Sequence, residues 1–147
     1  MIRTATADDL PELVRLLGQL YDASSPASPT ERHRAAFDDV AADPRQRLLV
    51  VEHDGAVIGT AAMVIVPNLG HNGTPYALVE NVVVDESARG HGHGEALMRF
   101  IIDEARAAGC YKVVLTSRKR RKDAQRFYER LGFDATSEGF RYTLIPD

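Results

Sequence analysis

Val82-Val83-Val84-Asp85 followed by Arg89-Gly90-His91-Gly92-His93-Gly94 is the stretch whose reading decides the fold of this chain. An apolar strand (Val79, Val82 to Val84) passes through a glycine-rich loop into a helix-like run that begins near Gly94. Backbone N–H groups at the start of a helix lack intrahelical partners and sit at the positive end of its dipole, so an anion placed there meets ready donors. Glycines allow the backbone to approach it closely. The reading is a phosphate-holding loop, with a flexible surface turn as the plain alternative.

Spacing narrows the choice. A Walker loop ends in Gly-Lys-Ser/Thr, whereas Gly94 is followed by Glu95 and Ala96. A dinucleotide-binding unit places its glycines after the first strand, with an acidic residue about 20 positions on. Here the loop lies past the midpoint and has a leading arginine. Arg-x-x-Gly-x-Gly after Val82-Val83-Val84-Asp85 resembles the acetyl-CoA loop of the GNAT acetyltransferase superfamily. Ala124-Gln125-Arg126-Phe127-Tyr128-Glu129-Arg130-Leu131-Gly132-Phe133 resembles that family's late helix and following strand, in the family's order and separation.

The 147 residues suit one domain with a single core, 1–147. Hydrophobic content of 44%, charged content of 27% and a net charge of −3 fit a soluble globular protein and argue against a nucleic-acid surface. No apolar stretch is long enough for a membrane span, and Met1-Ile2-Arg3-Thr4-Ala5-Thr6 lacks a signal peptide's apolar core, so the expected location is cytoplasmic. Cys110 is the only cysteine, which precludes an intrachain disulfide; its neighbours suggest a buried small hydrophobe, with a catalytic thiol as the alternative.

The pattern predicts a strand over Ile2 to Ala5, then a helix capped by Thr6 with apolar positions Leu10, Leu13, Val14, Leu17 and Leu20. Asp22 to Ala27 reads as a loop. Ser28-Pro29-Thr30-Glu31 reads as the start of a second helix capped by Ser28, which Asp43-Pro44 ends. Strands over Arg47 to Glu52 and Ala56 to Val66 flank the hairpin residues His53-Asp54-Gly55. After a loop over Pro67 to Pro75 come a strand over Tyr76 to Val84, the glycine loop, and a helix to Ala108 stopped by Gly109. Then follow a strand over Lys112 to Thr116, a helix over Lys122 to Leu131, and final strands over Phe133 to Ala135 and Arg141 to Ile145. The resemblance implies an α/β single-domain GNAT fold, a mostly antiparallel mixed sheet with helices on both faces.

It also implies acetyl-CoA as co-substrate, with no metal. The diphosphate falls to backbone donors over Arg89, Gly90, His91, Gly92, His93 and Gly94, extending to Glu95. The pantetheine arm falls along the main chain of Val82, Val83 and Val84, as an added strand would lie. Arg89 either touches phosphate or stabilises the loop. His93 departs from the family's usual aliphatic residue, and could pack as an aromatic, contact phosphate or weaken the anchoring.

Tyr128 is the family-matched general acid for the departing thiolate, or else a core tyrosine. Glu80 lies two residues before Val82, on the same face unless a bulge intervenes; it reads as general base, ion-pair partner or substrate anchor. Asn81 is a substrate-binding candidate if a bulge turns it toward substrate. Arg118 to Lys122 is a basic run that is either a solvated loop or an attractor of the cofactor's adenosine phosphate or an anionic substrate, and Arg121 stands where the family often has asparagine.

Val79 to Glu86 and Gly109 to Leu115 are also similar to glucosamine-6-phosphate N-acetyltransferases, with Asn81 replacing the usual aspartate. The leading expectation is acetyl transfer to a primary amine of a small molecule, an amino sugar or its phosphate first. The alternatives are a protein or peptide acetyltransferase and a non-catalytic acyl-CoA-binding regulator. The resemblance implies a homodimer, paired at the sheet edge that the late strands leave.

Overall fold

A computed structural model describes residues 1–21, 26–118 and 121–146. The predicted loop Asp22 to Ala27 and the basic run Arg118 to Lys122 therefore lie partly outside the described residues. The chain divides into two compact units, Met1–Val114 and Leu115–Asp147.

Five strands form one sheet in chain order: β1 (Ile2–Thr4), β2 (Gln46–His53), β3 (Ala56–Val66), β4 (Tyr76–Val84) and β5 (Val113–Leu115). The first four pair antiparallel. Beside β4, the N–H of Tyr111 donates to Pro75 O and the N–H of Ala77 to Lys112 O, each at 3.0 Å. These bonds ascend both segments in the same direction, so β5 runs parallel to β4 and the sheet is mixed.

The β2–β3 hairpin follows from Asp54-Gly55, both left-handed at φ 51° and 79°, the conformation that a two-residue turn between right-twisted strands requires. Helix α1 (Leu10–Leu20) and helix α2 (Glu31–Ala42) cover one face of the sheet. There Leu13 and Leu16 bury against Val50, Val57 and Val83, with Phe37 at the margin. The opposite pleat, with Leu49, Ala61, Met63 and Val79, meets helix α4 (His93–Ala107) through its buried Leu97, Met98 and Ile101. Between β3 and β4 the only helical element is the single turn α3 (Gly70–Gly73). The second unit carries helix α5 (Lys122–Arg130).

Three expectations change. Thr6 opens a short 3-10 turn, Ala7–Asp9, ahead of α1. The second helix is capped at Thr30, not Ser28: the N–H of Thr30 donates to His33 Nδ1 at 3.0 Å and the N–H of His33 to Thr30 Oγ1 at 3.4 Å, a reciprocal pair that starts the helix at Glu31. No strand forms over Phe133 to Ala135 or Arg141 to Ile145 among the described residues. A strand needs a neighbour for its N–H and C=O groups, and this segment leaves Phe140 94% and Tyr142 89% exposed.

One part-buried ion pair ties the chain start to the turn that leads into α1. Arg3 grips Asp9 with Nη1 to Oδ2 at 2.8 Å and Nη2 to Oδ1 at 3.0 Å, while the Thr6 N–H donates to Asp9 Oδ2 at 2.7 Å. Arg3 holds the Asp9 carboxyl below the ordinary carboxylate value, against the opposing effect of burial. Such a carboxylate stabilises the fold above its unfolded value, and the contribution is lost as pH falls toward the lowered one. Asp9→Ala is expected to cost about 2 kcal/mol by urea denaturation at pH 7, with a smaller difference between variant and parent below about pH 3. An equal deficit at both pH values would assign the loss to packing instead.

Candidate active site

The β4 strand breaks register between its pairings with Ala62 and Thr60: Glu80 stands opposite Ala62 and Val83 opposite Thr60, so two residues, Asn81 and Val82, fill the place of one. Asn81 takes the left-handed conformation, φ 56°, that this bulge demands. The pleat consequently shifts. Glu80 and Val83 share the face of α1 and α2, and Val82 and Val84 turn to the α4 face, so the shared face expected for Glu80 and Val82 does not occur. Glu80 is exposed, with no hydrogen-bonded partner among the described residues. Asn81 is engaged from α1, where the Tyr21 hydroxyl donates to its Oδ1.

Within the first unit and among the described residues, the outer edge of β4 is only partly covered by a neighbouring strand. β5 is three residues long and joins β4 from Pro75 and Ala77 onward, so it ends short of the segment from Val82 to Val84. Beyond the bulge no strand pairs with that edge among the described residues, though Arg89 Nε reaches Val84 O on it.

The glycine loop then rises into α4. Gly90 and Gly92 have φ of 83° and 82°, a region where side-chain-bearing residues are strained. Gly92 caps α4, and the first intrahelical bond runs from the Ala96 N–H to Gly92 O at 3.0 Å. The N–H groups of His93, Gly94 and Glu95 therefore have no intrahelical acceptor, and no described residue supplies another. The helix begins at His93, one residue earlier than the sequence pattern suggested.

The side chains around these amides take supporting places. Arg89 Nε donates to Val84 O at 3.0 Å, which braces the loop across its base. Glu95 is held by Arg99 at 2.8 Å, one turn along the helix. His93 packs as an aromatic, its ring 5.1 Å from that of His53 on the β2–β3 hairpin, while the exposed His91 ring is 6.4 Å from it. The Ser87 N–H, Arg15, the Ser87 hydroxyl and Gln19 together hold the Asp85 carboxyl down to about 2 despite burial. Burial pushes the Cys110 thiol up, which disfavours its thiolate.

In the second unit, Tyr128 lies on α5 with its ring edge-on to Phe127 and Phe133 at 5.2 and 5.8 Å. Burial raises its phenol above the ordinary value, with the Arg121 charge opposing. The group stays protonated throughout the physiological range.

Arg15, Gln19, Tyr21 and His53 escaped the sequence reading. Arg15 and Gln19 share one side of α1 four positions apart, but their partner lies 66 residues beyond Gln19, and no local pattern joins them. His53 was absorbed by its role in the hairpin.

Residues 13–133 match the model of the acetyltransferase (GNAT) family. The chain belongs to that family. It is 34% identical to a glucosamine 6-phosphate N-acetyltransferase of Trypanosoma brucei brucei, across 97% of this chain and 95% of that protein. Among solved structures, a putative acetyltransferase from Agrobacterium tumefaciens superposes with a TM-score of 0.90 at 36% identity, covering 97% and 99% of the two chains. A transcriptional regulator from Bacillus halodurans follows at 0.89 and 32% identity, covering 98% and 99%. The fold is that of the family, and the protein is an acetyl-CoA-dependent N-acetyltransferase.

Because Gly92 has a positive φ, Gly92→Val strains the backbone even though nothing lies within 4 Å of the added Cβ. Gly139→Ala meets no atom within 4 Å and requires no unusual φ. By calorimetry, Gly92→Val is expected to weaken acetyl-CoA binding at least tenfold while Gly139→Ala binds like the parent. Equal affinities would remove the loop from the cofactor site.

Proposed function

We propose that this transferase moves the acetyl group from acetyl-CoA to a primary amine of a small molecule, by direct attack in a ternary complex, with residues 1–147 acting as one domain. The observation that carries the cofactor half is the row of free amides at His93, Gly94 and Glu95 beside the uncovered edge from Val82 to Val84. A diphosphate suits the first and an extended pantetheine amide chain suits the second. Backbone of Arg89 to Gly92 completes the loop. An amino sugar phosphate, glucosamine 6-phosphate, is the first acceptor to try, on the likeness to the Trypanosoma protein over nearly the whole of both chains.

In the proposed step the amine lone pair attacks the thioester carbonyl, and a strand N–H near Val82 stabilises the developing oxyanion. Collapse breaks the C–S bond. Glu80 takes the proton of the attacking nitrogen, directly or through water, and Tyr128 gives its phenolic proton to the departing thiolate. Asn81 orients the acceptor. The acidic balance of the chain, net charge −3, suits a small-molecule partner better than a nucleic acid or membrane surface, and a single cysteine suits the cytoplasm. Among the described residues the late strands do not form the sheet edge expected for a homodimer, and the dimer rests instead on the exposed apolar Phe140, Tyr142, Leu144 and Ile145 that it would cover.

The deciding experiment is release of free CoA on mixing the protein with acetyl-CoA and a panel of amines containing glucosamine 6-phosphate, aminoglycosides and a lysine peptide. Turnover with the sugar supports the proposal. Turnover with the peptide alone replaces the acceptor, and binding of acetyl-CoA with no turnover on any amine leaves a regulator of the kind the Bacillus halodurans name describes.

Tyr128→Phe should retain acetyl-CoA affinity and lose about 10²–10⁴-fold in kcat. In the parent, the raised phenol places the alkaline limb due to Tyr128 above pH 10, since the acid must be protonated to act. An alkaline limb unchanged in Tyr128→Phe, with normal kcat, would leave Tyr128 a packing residue. Glu80→Gln should depress turnover most at low pH, where the amine is protonated; a deficit uniform in pH would make Glu80 an anchor instead of a base.

A further inference from the structure

Arg15 and Gln19 stand about one turn apart on α1 and both reach the end of β4. Arg15 Nη1 lies 2.7 Å from Asp85 Oδ2, and Gln19 Nε2 donates to Asp85 Oδ1 at 3.4 Å. Gln19 also accepts, its Oε1 receiving the Glu86 N–H at 3.0 Å. Within the turn itself Asp85 Oδ1 receives the Ser87 N–H at 3.1 Å and the Ser87 hydroxyl at 3.0 Å, and Asp85 O receives the Ala88 N–H at 2.8 Å. Asp85 is 8% exposed. The chain from Val84 to Arg89 is thus fixed before the first glycine of the loop.

We infer that Arg15, Gln19 and Asp85 are positioning residues for acetyl-CoA, a clamp through which α1 sets the path of the loop that presents the amides of His93, Gly94 and Glu95. The inference rests on the assignment of that loop to the cofactor. Backbone amides bind an anion well only when they converge on it, and a loop that must first be ordered spends binding free energy on its own entropy. The clamp removes that cost at the loop's entrance. It also eases an electrostatic problem: a carboxylate at the entrance to a diphosphate site repels the ligand, and Arg15, shared with Glu12, offsets part of that charge at contact distance. Glu12 in turn receives Arg15 Nε at 2.7 Å, which holds the guanidinium in place from its own helix.

The test is acetyl-CoA binding by calorimetry on the intact chain, with thermal stability measured alongside. Gln19→Met, which removes both contacts and no charge, and Arg15→Met, which leaves Asp85 unneutralised, should each raise Kd about tenfold. Arg15→Lys should recover most of the affinity by restoring the charge. Val14→Ala, at a buried position of the same helix, loses stability by packing and should change Kd less than twofold. Hydrogen exchange at the amides of residues 86–94 should quicken in Gln19→Met and not in Val14→Ala. Unchanged Kd in both polar variants overturns the inference, and so does equal weakening by Val14→Ala, which would make the contacts merely structural. If the parent binds no acetyl-CoA, the cofactor assignment fails and the clamp with it; if the parent binds and the polar variants match it, only the clamp fails.

Discussion

The extra residue in β4 is the constraint on which the site depends. An antiparallel pairing without it would alternate regularly, putting Val83 on the α4 side and turning Val82 and Val84 to the α1 side. The bulge at Asn81 reverses the pleat, so Val79 seals the α4 face and Val83 the α1 face of the same strand. Two buried layers are thereby served by nine residues. A left-handed asparagine costs on the order of 1 kcal/mol in backbone strain, and the Tyr21 hydroxyl on its side chain helps to hold it there.

The same strand delivers the loop. Past the bulge β4 keeps its pairing with β3 to Gly59 and Val84, so the start of the glycine loop is anchored on one side by a sheet and on the other by α1. The amides at the start of α4 stay free because the helix offers them nothing and the loop's side chains turn to other tasks: Arg89 to Val84, Glu95 to Arg99, His93 to His53. An anion site made of backbone, as proposed for this loop, depends little on side chains, and the His93 ring is free to pack against His53. The proposed site would depend instead on the positive φ of Gly90 and Gly92.

Sequence exposed most of this by its periodicity and punctuation. The β3 and β4 boundaries follow from apolar runs set between Asp54-Gly55, Pro75 and Asp85, and the loop from its glycines. The second cap was missed because Ser28-Pro29 and Thr30 compete within three positions, and only the reach of His33 decides between them. The late strands failed for a different reason. Alternation in Phe140, Tyr142 and Leu144 is a local signal, whereas pairing is a long-range event that the pattern alone cannot guarantee. Bulges are equally silent: nothing local to Glu80-Asn81-Val82 shows that Thr60 and Ala62 will meet residues three apart.

That register separates two carboxylates on one strand and its end by chemistry as well as place. Asp85 is surrounded by donors from Ser87, Arg15 and Gln19, and a carboxyl held down to about 2 takes up no proton at neutral pH. Its charge is a fixed structural quantity. Glu80, five residues earlier, is exposed and carries no hydrogen bond among the described residues, so no donor competes with a substrate proton for its oxygens. A clamp must keep its charge. By that criterion Asp85 suits the proposed clamp, and the exposed Glu80 suits the proposed role beside the acceptor amine.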